Sequence, residues 1–193
     1  MEKQDLYQTL IQIAKNTIKD KLEDTNTIDR KKLEEQFEQL CENYATFVTL
    51  NINGKLRGCI GSLVAYRSLF DDIVSNAKSA AFNDNRFQSL SKEEFENTKI
   101  EISIISEIEH IEYFDTMDLE TKIIPNKHGV ILKKGNSHAT FLPQVWEQLP
   151  TFDAFLVNLF EKAGLKNQKE NAMSLENNTV EIYTYTVQKI QEE

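Results

Sequence analysis

The chain has 193 residues, 40% of them apolar, with 11 Phe, 6 Tyr and 1 Trp, which is enough for a sizeable core and unlike a disordered chain. A net charge of −9, spread along the sequence without a basic stripe, argues against a phosphate backbone as partner, so no nucleic acid is expected. The first residues carry early acids and no long apolar core, and no window reaches the roughly 18 apolar residues of a membrane span. Cys41 and Cys59 form no C-x-x-C pair, so the expectation is a reduced, soluble, cytoplasmic protein with no membrane partner.

Leu6, Leu10, Ile11, Ile13, Ala14, Ile18 and Leu22 follow helical spacing and predict a helix over residues 3–22. After a polar connector, Leu33, Phe37, Leu40 and Cys41 suggest a shorter helix with Cys41 on its buried face. ATFVTLNI then reads as a strand, Asn53-Gly54 as a hairpin turn, and KLRGCIG as the return strand or the loop just beyond it. Ser68 with Asp71 opens a helix whose stripe is Leu69, Ile73, Ala77, Ala80 and Ala81. The loop FNDNRFQSL leads to a second capping box, Ser91 with Glu94.

Ile100, Ile102 and Ile104 alternate with Glu101 and Ser103 as a half-buried strand, and Ile104-Ile105 breaks the parity, which marks a bulge or an end. A second hairpin covers HGVILKKGNSHATFL, turning near Gly135-Asn136. Pro143 opens a helical turn, Thr151 caps the helix FDAFLVNLFEKAGL, and Gly164 is its natural C′ residue. KNQKENAMSLENN reads as the most loop-like and mobile segment, and VEIYTYTV as one last alternating strand. Hairpins and helices in no βαβ rhythm predict an α+β fold, with a mixed or antiparallel sheet flanked by helices.

The stretch RGCIG admits three readings. Gly58 and Gly61 can serve a bulge or a close strand–helix approach around a small buried Cys59. They can equally bring main-chain N–H groups to a ligand while Arg57 grips an anion. Or Cys59 is a nucleophile, its thiolate favoured by Arg57 or by the helix starting near Ser68, with a base among His110, His128 and His138. Of these His128, in a loop entering a strand, is the best placed. His138 opposes Lys133 if Gly135 and Asn136 are the two central turn residues. Arg86, within DNRF, is either an anion clamp or a tie between its loop and a carboxylate or carbonyls. No metal pattern, phosphate loop, G-x-G-x-x-G or serine elbow is present, and neither metal nor cofactor is expected.

TFVTL, LRGCIG, AAFNDNRF, EISIIS, HGV, LPQVW and FLVNLFEKAGL occur in an order and spacing that resembles the AMMECR1 domain family. The likeness covers about residues 44–190 and is compatible with the first helix, so the chain reads as one such domain over 1–193. It departs at Tyr44, where the family usually has a small residue, and at Asn85, where it usually has Pro. The resemblance implies an α+β fold of two unequal subdomains with LRGCIG beside a cleft. Members look like component A of the AmmeMemoRadiSam system, so it also implies a Memo-like protein and a radical SAM protein as partners, with an unknown small ligand and no established reaction. Carried across, its motif marks Leu56, Arg57, Gly58, Cys59, Ile60 and Gly61, and, less completely, Asp84, Arg86 and Phe87.

Overall fold

The computed structural model describes residues 2–192. In chain order the elements are α1 (Glu2–Glu23), α2 (Arg30–Gln36), a 3-10 turn (Glu38–Cys41), β1 (Ala45–Ile52), β2 (Lys55–Gly61) and α3 (Leu69–Phe82). Then come α4 (Lys92–Phe95), β3 (Thr98–Ile105), β4 (Glu109–Ile111), α5 (Thr116–Lys122), β5 (Gly129–Lys134) and β6 (Ser137–Phe141). A 3-10 turn (Pro143–Glu147), α6 (Phe152–Lys162), α7 (Gln168–Glu176), β7 (Glu181–Tyr185) and β8 (Val187–Gln191) complete the chain. The fold is α+β, with two four-stranded sheets among the described residues. No helix in that range is long and apolar enough to cross a membrane.

The chain divides into two unequal compact units: a larger one running to Ile105 and resumed by Gln188, and a smaller one, Ser106–Val187. In the larger unit the sheet order is β2-β1-β3-β8, so β2 is an edge strand. Val48 faces Ile102 and Leu50 faces Ile100 across the β1–β3 ladder, and all four are buried. Period-two alternation sends them to one face, where Leu10, Ile13, Ala14 and Ile18 of α1 and Ile73, Ala77 and Ala80 of α3 complete a single core. Each buried leucine, isoleucine or valine there contributes about 1.5–3 kcal/mol. Asn53 and Gly54 both have positive φ, 52° and 74°, the turn geometry that an Asn-Gly pair favours. The α3 cap is the one the sequence announces, with the Ser68 side chain accepting from Asp71 N–H.

In the smaller unit the order is β4-β7-β5-β6, all antiparallel. The β5–β6 hairpin turns at Gly135-Asn136 and places His138 opposite Lys133. The Trp146 and Phe155 rings stack in the core with centroids 3.7 Å apart. Gly164, at φ 81°, ends α6 in a Schellman motif: Leu165 N–H bonds Phe160 C=O and Gly164 N–H bonds Glu161 C=O.

Three expectations need correction. Cys41 is exposed, not core. The helix stops at Phe37, whose extended φ of −134° breaks the phase, so Phe37 and Leu40 turn inward while Cys41 turns out. The segment read as mobile forms α7: Asn167 caps it, and its buried side includes Asn171 and Ser174, whose polar atoms bond Leu165 C=O and Glu170 C=O. A helix that buries amide and hydroxyl groups shows no apolar period to read. The last strand is two: β7 belongs to the smaller unit's sheet and β8 to the larger one's. The parity break at Ile104-Ile105 does mark an end: β3 stops at Ile105 with the β1–β3 register unbroken, and the sheet's bulge lies in the β1–β2 pair.

Candidate functional site

The β1–β2 register steps from Leu50↔Gly58 to Asn51↔Leu56, leaving Arg57 as the extra residue of a bulge. Arg57 therefore does not share a regular strand face with Cys59. Gly58 follows on the core side. A Cβ there would lie 2.2 Å from the carbonyl oxygen of Ala80, so only glycine lets α3 come this close. A Cβ on Gly61 would lie 2.3 Å from the Thr46 carbonyl oxygen and 2.4 Å from the Phe47 ring. Both glycines are fixed by packing. The part of α3 over this strand is its last turn, whereas its capped N-terminus at Ser68 lies at the other end.

Between the glycines, Cys59 turns its N–H and C=O away from β1, to the open edge. Such groups ordinarily go to water or to another strand. Here the loop after α3 receives them. Cys59 N–H donates to Asp84 Oδ2 at 2.9 Å, and Arg86 Nη2 donates to Cys59 C=O at 3.0 Å. Asp84 also accepts from Arg86 Nε at 2.9 Å, Arg86 Nη2 at 2.7 Å and Arg86 N–H at 3.1 Å. The carboxylate is buried, and Phe87 N–H closes the loop on Asp84 C=O. The Arg86 guanidinium, followed by the Cys59 and Arg86 N–H groups, holds the Asp84 carboxyl well below the usual range. Two side chains thus pair the N–H and C=O of one residue as a neighbouring strand would.

Arg57 is held in the same manner. Its Nε and Nη2 make a bidentate pair with Glu94 at 2.8 and 2.9 Å, and Nη2 also donates to Gln88 C=O at 2.8 Å. Glu94 meanwhile accepts from Ser91 N–H, so one carboxylate closes the α4 capping box and anchors the bulge. The guanidinium carbons of Arg57 and Arg86 each lie 5.6 Å from the Phe87 ring centroid. Both arginine charges are matched by a carboxylate.

The Cys59 side chain points to the sheet face opposite the helices and is half-buried. Because its backbone groups face outward, Thr49 and Cys59 form a non-hydrogen-bonded pair, the kind with side chains closest together. Thr49 Oγ1 donates to Cys59 Sγ at 3.2 Å. The row continues to Glu101, opposite Thr49 on β3, which accepts from Gln191 Nε2 at 2.7 Å.

His110, His128 and His138 all belong to the smaller unit, as the unit bounds require. His128 Nδ1 accepts from Ile124 N–H at 3.2 Å, and its carbonyl accepts from Trp146 Nε1. Burial and then neighbouring Lys127 push its pKa down, so the ring is neutral at neutral pH. Asp84, Arg86 and Cys59 come together, and Arg57 reaches them through Phe87.

Thr49 and the pairing of Glu94 with Arg57 escaped the sequence reading, as did a buried network at the Gly61 end of β2. There Asp72 accepts from Thr46 N–H, Thr46 Oγ1, Arg67 Nε and Asn76 Nδ2 at 2.6–2.9 Å. The only local hint was Asp72 and Asn76 at i, i+4 on the α3 stripe.

The AMMECR1 family model matches residues 11–190. A protein of Methanosarcina acetivorans is 38% identical over 126 residues, 64% of this chain and 62% of its own, so that relative is longer than the matched part. A protein of Methanothermobacter thermautotrophicus is 32% identical over 167 residues, 83% of each chain. The crystal structure of the uncharacterized protein PH0010 from Pyrococcus horikoshii superposes with a TM-score of 0.78 at 28% identity, covering 96% of this chain and 90% of that one. The chain belongs to the AMMECR1 family.

Proposed function

We propose that this is a cytoplasmic binding component, working as one AMMECR1-like domain, that presents the Cys59 face of a locked edge strand to a small ligand or to a protein partner. The Memo-like and radical SAM proteins that the family resemblance implies are the partners in this reading. The observation that supports it is the double hold on the Cys59 peptide by Asp84 and Arg86. The core does not need that thiol, yet the backbone beneath it is as constrained as that of a central strand. Rigid support under an otherwise dispensable side chain is what recognition requires. Covalent catalysis has less support, because the hydrogen-bond partner of Cys59 Sγ among the described residues is the Thr49 hydroxyl and not a general base.

The test is association of the full chain with purified Memo-like and radical SAM proteins, measured by calorimetry for wild type, Cys59→Phe and, as an exposed control, Cys41→Phe. A complex with at least one partner is expected, weakened about ten-fold or more by Cys59→Phe, equivalent to about 1.4 kcal/mol, and unchanged by Cys41→Phe. No complex with either protein, or equal loss in both variants, refutes the reading.

A further inference from the structure

The smaller unit carries a groove between α6 and α7 with a volume of about 160 Å³, floored by Phe152, Leu156, Phe160 and Leu175. That is room for one aromatic or branched aliphatic side chain, close to the ~150 Å³ of an apolar cavity that accepts benzene. It is too small for a lipid acyl chain. The rim is what gives it direction. Asp153, Val157 and Glu161 fall at i, i+4 and i+8 along α6 and form one exposed stripe on the groove wall. Val157, 37% exposed, sits between two carboxylates about 12 Å apart along the axis. Neither carboxylate has an ion-pair or hydrogen-bond partner among the described residues. On the opposite wall Ala172 leaves space, and Met173 beside it is 64% exposed.

We infer that this groove docks a short segment of another protein that inserts one large apolar side chain and sets a lysine or arginine on each side of it. One cation faces Asp153 and the other Glu161. On a helical segment the two would stand one turn before and one turn after the anchor, matching the i, i+4, i+8 stripe they meet. Acids outnumber lysines across residues 106–187, so the surrounding field also draws a basic segment in. An apolar slot framed by unmatched negative charge is poorly suited to an acidic or purely apolar occupant.

The probe is a displayed library of helix-forming peptides of about 16 residues, selected against the full chain, with the strongest binder then synthesised. The enriched sequences should share an apolar anchor flanked by Lys or Arg one turn to either side, with affinity that falls as salt rises. Asp153→Lys with Glu161→Lys should weaken the synthetic peptide about ten-fold or more, Asp153→Asn with Glu161→Gln should flatten the salt dependence, and Ala172→Phe should abolish binding. Each variant's melting is checked first, and the milder neutral pair keeps the test valid if the reversal does not fold. No enrichment over a bait-free control overturns the proposal. So does an acidic consensus, or equal binding to the charge-altered variants. Self-association of the chain that Ala172→Phe removes would give the groove to a second copy, and capture of free indole with no peptide preference would make it a small-molecule cavity. Either result also overturns the proposal.

Discussion

Replacing Asp84 with Asn asks whether a carboxylate holds the Cys59 segment in place. Asp84 is 4% exposed and accepts four hydrogen bonds, one from Cys59 N–H and three from Arg86. Asparagine keeps the shape, but one of its two terminal atoms becomes an NH2 that faces donors. Bonds to a charged acceptor contribute about 1.5–3 kcal/mol each, and removing one partner of a buried pair costs about 3–5 kcal/mol. Arg86 is half exposed and regains water when released, so its share must be discounted. The expected loss at pH 7 is about 2–4 kcal/mol. Its pH dependence follows from the depressed carboxyl, which Arg86 chiefly causes. A folded pKa below the unfolded value of about 3.9 gives stability that is fully present above that value and is lost as pH falls toward the folded one. The gap between wild type and Asp84→Asn should therefore be level from about pH 8 to about pH 5 and shrink below about pH 4. Urea unfolding followed by circular dichroism, with amide exchange at Cys59, reads both effects. Equal midpoints at pH 7, or an equal gap at pH 3 and pH 7, would refute the reasoning.

Gly58→Ala should destabilise by about 3 kcal/mol or more, since its Cβ would sit 2.2 Å from a helix carbonyl; a variant that melts like wild type means the strand and α3 are not in such contact. Asn85→Pro should stabilise by about 0.4–1 kcal/mol, because residue 85 is the second residue of the Asp84–Phe87 turn, where proline is favoured, and the turn uses the N–H groups of Arg86 and Phe87 instead. A lower midpoint for Asn85→Pro would show that the turn is of another type.

The local signals carried far in the larger unit. Asn53-Gly54, Ser68 with Asp71, and Ser91 with Glu94 each form the turn or cap their side chains favour, because the atoms that decide them lie within a few residues. Legibility failed where the deciding atoms are distant or polar. The α7 helix buries Asn171 and Ser174, which a search for apolar period passes over. Thr186 lies between β7 and β8, and nothing in TYTVQKI marks the change of sheet. Glu94 was visible as a capping residue, while its partnership with Arg57 spans 37 residues and leaves no trace in either neighbourhood.

The same distinction governs the site. LRGCIG and DNRF were legible as two motifs, one with a thiol and one with an arginine in a loop. In the fold they are one object, because β2 is an edge strand whose outward N–H and C=O need partners, and Asp84 and Arg86 supply them. That requirement explains the acid and the base of the loop together: the N–H needs an acceptor, the C=O needs a donor, and the two side chains neutralise each other in a buried place. It also gives Arg86 the second of its two readings, a tie between its loop, a carboxylate and a carbonyl. As an anion clamp the guanidinium would need free donors aimed at a ligand, but its Nε and Nη2 already serve Asp84 and the Cys59 carbonyl. Arg57 spends Nε and Nη2 in the same way, on Glu94 and Gln88, but its Nη1 is buried with no hydrogen-bond partner among the described residues and stays open as a donor. On the far sheet face, the one the binding proposal uses, the Cys59 sulfur meets the Thr49 hydroxyl beside Glu101. In the binding reading proposed above, a ligand at this row would meet the sulfur and the hydroxyl first, because the Glu101 carboxylate is already taken up by Gln191 Nε2 at 2.7 Å and Lys189 Nζ at 3.8 Å.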